Sequence, residues 1–175
     1  MPDAAPTLTP PTPEATALAP LIGRVAGIIG SEDFPTGERA ALKRLAPDRP
    51  PSLAFYRFCF RYLSANWQAN VGAWQVLLAG LALMGAQPHR PDRPVGLALA
   101  ETGYSETRLE RLLAAQDDVL YTLTLRLARF LATKGESVNW VDLANLLLAR
   151  DRDKQEAARF KIARDYYRYQ KPEKD

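Results

Sequence analysis

Arginines and lysines at helical spacing are the residues of this 175-residue chain best placed to do chemistry. Arg57 and Arg61 stand four apart. Arg126 and Arg129 stand three apart, on a line that Thr122 and Thr133 extend. At 3.6 residues per turn each set shares one side of a helix. Around Arg57 and Arg61 lie Phe55, Tyr56, Phe58, Cys59, Phe60, Tyr62 and Leu63; leucines, alanines and aromatics surround Arg126 and Arg129. A generic solvated helix face mixes Glu with Lys. These two stripes hold arginine without carboxylate, and the guanidinium fork matches the oxygens of a phosphate. The chemistry indicated is the holding of a polyanion, not the making of bonds. Further pairs at helical spacing are Arg39 with Lys43, which Arg44 follows, and Arg108 with Arg111. Near the C-terminus Lys154, Lys161, Arg164, Arg168 and Lys171 align, beside Tyr166, Tyr167 and Tyr169. Those tyrosines read as core and edge residues, with base stacking as the functional alternative.

Catalytic signatures are absent. The chain has no P-loop, no G-x-S-x-G, no H-E-x-x-H and no nucleophile paired with histidine. Asp117 and Asp118 open a helix, where capping accounts for them. His89 is the only histidine and reads as a solvated loop residue. With no Cys, Asp or Glu at ligand spacing around it, no metal is expected, and no cofactor. Cys59 is the only cysteine, so no disulfide forms within the chain; it reads as a core residue in a reducing, cytoplasmic setting. The first residues lack the basic-then-apolar order of a signal peptide. Val71–Ala86, the most apolar stretch, is too short and too glycine-broken to cross a membrane, so no membrane partner is expected. Net charge is only +3, but residues 35–65 carry six basic groups against two acidic ones, and residues 1–34 one against four. A locally basic surface on a nearly neutral chain points to a polyanion.

The elements that must position these cations read as helices throughout. Residues 1–13, with five prolines, form a disordered tail. Residues 14–88 form an N-terminal helical half: Ala15–Ile29, Gly37–Leu45, Leu53–Leu63 capped by Ser52, and Val71–Ala86. Residues 89–94 are a proline-bearing linker. Residues 95–175 form a C-terminal bundle. Within it Asp117–Lys134 ends at Gly135, a further helix starts at Asn139 with Asp142 reaching back in a capping box, and Asp151–Tyr169 closes the chain. No segment alternates with period two. The fold class is all-α, with about nine helices in two packed bundles. Val95–Ala115 is a helix pair, with Gly103 ending the first helix and Ser105 capping the second. It reads either as a helix-turn-helix whose second helix enters a DNA groove or as an ordinary αα-corner. Glu106 and Glu110 on that second helix oppose phosphate.

Several stretches, taken in order, resemble the small subunit of the type I-E CRISPR surveillance complex Cascade, the CasB family. They are Gly37–Leu45, the pair Gly96–Leu113, Arg126-Leu127-Ala128-Arg129-Phe130-Leu131, Val138–Ala144 and Ala163-Arg164-Asp165-Tyr166-Tyr167. Together they span about four-fifths of the chain, each weak alone and specific as an ordered set. The resemblance implies an all-helical, non-enzymatic subunit. Its partners would be the other Cascade subunits, a second copy packed head to tail, and the target and displaced DNA strands with the guide RNA. The family's basic positions map onto Lys43, Arg44, Arg108 and Arg129. The stripes add Arg57, Arg61, Arg111, Arg126 and Arg164 as nucleic-acid contacts. A helix-turn-helix regulator and a helical scaffold that binds only protein are the alternative readings.

Overall fold

A helix that is apolar all round has to be covered all round, and Val71–Leu83 comes close to that, with Gln75 its one polar side chain. The computed structural model describes residues 13–170. It contains α1 Pro13–Gly30, α2 Thr36–Lys43, α3 Leu53–Tyr62, α4 Val71–Leu83, α5 Val95–Glu101, α6 Glu106–Ala114, α7 Asp117–Thr133, α8 Trp140–Leu148 and α9 Arg152–Tyr169. A 3-10 turn, Ala65–Asn70, leads into α4. The all-α expectation holds, with nine α-helices among the described residues. Apart from Pro13, which begins α1, the expected tail lies outside the described residues, as does Lys171.

Residues Ala73 to Ala82 of α4 are all buried. Around them pack α1, α2, α7 and α8. Gly80 has no side chain because the ring of Trp140 fills the space where a Cβ would stand. One hydrophobic cluster runs from Ile22 and Ile29 of α1 through Phe55, Leu77, Leu99, Leu127, Trp140 and Ile162, so the first and last thirds of the chain share a core. α5 packs closely on α9. A Cβ on Gly96 would stand 2.5 Å from the Tyr166 amide nitrogen and 2.8 Å from Asp165 Cβ.

The caps follow from side-chain chemistry. The Ser52 hydroxyl accepts from the Phe55 N–H at 3.4 Å, and Ser105 from the Arg108 N–H at 3.3 Å. Gly103 (φ +76°) and Gly135 (φ +67°) supply the left-handed positions after α5 and α7. The start of α8 departs from expectation. Asn139 does cap it, accepting from the Val141 N–H at 3.1 Å. Asp142 does not reach back. Its Oδ2 accepts from the Val95 N–H at 3.1 Å, and Lys161 Nζ lies 2.9 Å from its Oδ1. The aspartate instead joins α8 to α5 and α9, because Pro94 in the N-cap position gives α5 no side-chain cap of its own.

His89 is likewise not a solvated loop residue. It is half-buried, and its Nδ1 accepts the Trp140 N–H at 3.0 Å, capping the first N–H of α8 from outside that helix. Burial lowers its pKa from 6.5, against the Val138 backbone and the charge of Asp142. The segment around it is pinned to the residues before α8. Arg90 N–H donates to Val138 O at 2.9 Å, and Asn139 N–H donates to Arg93 O at 2.8 Å.

Candidate nucleic-acid interface

α7 is a two-faced helix. Leu120, Thr124, Leu125, Leu127, Ala128 and Leu131 are buried, and Thr122, Arg126, Arg129 and Thr133 are exposed on the opposite side. Neither arginine of this stripe forms an ion pair among the described residues. Beside the stripe, Phe130 meets the Tyr104 ring edge to face at 5.2 Å. The Arg108 guanidinium lies 5.9 Å above Tyr104, and the Lys134 ammonium 5.7 Å above Phe130. One aromatic pair thus gathers cations from α6 and from the end of α7. Burial raises the Tyr104 pKa, and Arg108 opposes it, so the phenol stays neutral. Lys134 escaped the sequence reading, although its spacing of four from Phe130 was the signal available. Arg111 is exposed on α6, as are Glu106 and Glu110.

α2 and α3 carry the second group. Lys43 and Arg44 end α2 and are exposed, with Arg44 Nε donating to Ala40 O at 3.2 Å. On α3, Ala54, Phe55, Phe58 and Cys59 are buried, and Arg57 and Arg61 face outward. The stripe is not free of carboxylate in three dimensions: Glu38 of α2 lies 2.8 Å from Arg57. Arg61 has no such partner among the described residues; its guanidinium stacks over Tyr62 at 5.4 Å. Arg39 is not a surface cation at all. It donates to Ile29 O at 3.0 Å and Ser31 O at 2.6 Å and ties α2 to the end of α1.

The last helix uses much of its charge internally. Lys161 lies 2.9 Å from both Asp142 and Asp165, and Arg164 lies 3.2 Å from Asp165. Burial works against the charge on Lys161, but hydrogen bonds to Asp165 and Asp142 outweigh it and raise its pKa. Arg164 is exposed, yet it is engaged with a buried aspartate. Tyr166 is core, as read, and its hydroxyl donates to Tyr104 O at 2.6 Å; Tyr167 and Tyr169 are exposed.

The family model described as CRISPR-associated protein Cse2 matches residues 38–167. The chain belongs to the Cse2 family. This is the family of the type I-E Cascade small subunit, so the chain is a CRISPR Cascade subunit and works beside other subunits of that complex. No curated protein and no solved structure matches it. The matched span runs from α2 into α9 and contains all nine cations that the sequence indicates. The family is a non-catalytic one. Cys59, the most nucleophilic residue type in the chain, is buried, and burial pushes its thiol up to about 12. Among the described residues no group of three His, Cys, Asp or Glu could hold a metal, and no helix is long and apolar enough to cross a membrane.

Proposed function

We propose that this Cse2-family subunit stabilises the R-loop in antiviral defence by holding nucleic-acid backbone on basic helix faces. The observation that carries the reading is the α7 stripe: two exposed arginines without ion-pair partners among the described residues, next to Arg108 and Lys134 on their aromatic pair. Base pairing between guide and target reads sequence, so a protein subunit need only hold phosphates. Opening a target is a near-balanced exchange of one duplex for another, and a few phosphate contacts tip it. The partners follow from the same reading: the target and displaced DNA strands with the guide RNA, and a second copy of this chain in the complex, in the cytoplasm. Glu106 and Glu110, exposed beside Arg108 and Arg111, count against α6 as a groove-reading helix.

The test is the double variant Arg126→Ala/Arg129→Ala in the assembled complex. Exposed substitutions of this kind change stability by about 0.5 kcal/mol or less, so the subunit should fold and assemble normally. R-loop formation should weaken. The salt dependence of single-strand binding should become shallower by roughly 0.7 for each lost contact. Unchanged target opening at physiological salt would remove both residues from the interface.

A further inference from the structure

The α3 surface carries more than its arginines. Phe60 is 70% exposed, Leu53 73% and Tyr56 38%, on a helix whose other side is core. At 3.6 residues per turn, Tyr56, Phe60 and Leu53 lie side by side, and Arg57 and Arg61 come next around the helix. Phe60 is not a loose side chain. Its ring stands edge to face at 5.2 Å against Trp67, which is buried to 5% exposure and also contacts Tyr56 at 6.4 Å and Phe55 at 5.8 Å. Trp67 therefore braces Phe60 from within and leaves an open ring face toward solvent. At the C-terminal end of α3, Arg24 of α1 donates to Tyr62 O at 2.8 Å and brings another cation to the same region.

We infer that the exposed face of α3 is a base-stacking platform for single-stranded nucleic acid, with Phe60 and Tyr56 as the stacking rings and Arg61 on the adjoining phosphate. This rests on the backbone-holding reading and adds contact with bases to it. An open aromatic face next to a guanidinium is the pairing by which proteins hold single strands without reading sequence. Bracing by Trp67 means little side-chain freedom is lost when a base lands, which favours binding. Glu38 neutralises Arg57 at 2.8 Å, so Arg61 is the cation left for phosphate. Charge selects the occupant. With Arg39 turned to backbone and Arg57 paired with Glu38, residues 35–65 still expose Lys43, Arg44, Arg49 and Arg61 against Asp48, and a protein partner covering Phe60 would have to cover Arg61 beside it.

The experiment compares two labelled single strands of equal length and charge, one with ordinary bases and one fully abasic, each titrated against the full chain. The parent should bind the base-bearing strand about tenfold more tightly, in line with the contribution of one stacked base, and binding should alter Trp67 fluorescence through Phe60. Phe60→Ala should reduce that preference, Phe60→Ala/Tyr56→Ala should abolish it, and both should leave abasic binding unchanged; Phe60→Trp should keep it. Arg61→Ala should weaken both strands and flatten the salt dependence. Phe60 is too exposed for its truncation to unfold the chain, and an unchanged melting temperature verifies this. Equal binding of both strands by the parent, with no effect of Phe60→Ala, overturns the platform and leaves the phosphate reading intact. Failure of both strands to bind overturns both.

Discussion

Lys161→Met tests how the helix pair α5–α6 is seated. Lys161 Nζ lies 2.9 Å from Asp142 Oδ1 and from Asp165 Oδ2. Asp142's side chain is 2% exposed and also accepts the Val95 N–H, so it fastens the start of α5. Methionine keeps the length of the side chain and removes its charge. At 2.9 Å and an effective dielectric of 20, each attraction is about 6 kcal/mol before desolvation is subtracted; breaking a buried pair typically costs about 3–5 kcal/mol. Two features reduce that here. Lys161 is 37% exposed, so solvent screens part of its charge, and Arg164 still serves Asp165. The expected loss is about 2–3 kcal/mol, and the melting temperature should fall by roughly 4–12 °C for a chain of this size. The cause is an uncompensated Asp142, so Asp142→Asn added to Lys161→Met should recover at least half of the loss. Asparagine stays neutral, and its amide oxygen still accepts from Val95. Urea and thermal unfolding of the two single variants and the double variant, followed by circular dichroism, complete the cycle. A neutral Lys161→Met, or a double variant no more stable than that single one, would refute the account of Asp142.

Stability should also fall with acid through His89. Its folded pKa lies below 6.5, so the unfolded chain takes up the proton first; stability is complete above about 6.5 and declines as pH falls toward the folded value. His89→Asn should lose that slope in urea unfolding measured across this range. Gly96→Ala should cost at least the roughly 1–3 kcal/mol of an overpacked core, because the new Cβ meets backbone of α9. Gly37→Ala, with open space around its Cβ in α2, should instead stabilise by about 0.5 kcal/mol. Thermal unfolding of the two variants gives the sign of each.

Local signals made the helices legible. Ser52, Ser105 and Asn139 cap where their side chains permit, and Gly103 and Gly135 stop helices because they tolerate positive φ. The stripe on α7 was legible because a regular helix presents its period directly to solvent. What stayed hidden depends on residues far apart in the chain. Asp142 fits a capping box locally, and only the arrival of α5 and α9 gives it other partners. Arg57 looks free until Glu38, 19 residues earlier, is folded against it. His89 looks like loop because nothing near it in sequence predicts the Trp140 amide, 51 residues on. Arg39 and Lys161 show the same limit from the other side: spacing marks a cation, but only packing decides whether it holds a ligand or the protein itself.

α4 has one more consequence. α2 and α7 both pack against it, so their axes stand at most two helix–helix spacings apart, about 16–20 Å. Because α4 is buried from Ala73 to Ala82 and its one polar side chain, Gln75, is itself bonded to Arg49 O, that distance has little room to adjust. Lys43 and Arg44 on one side and Arg126 and Arg129 on the other are fixed marks on a ruler. A nucleic acid that touched both would have to bring its phosphates to those marks. On the backbone-holding reading proposed above, the subunit would be a rigid gauge and the strand the part that conforms.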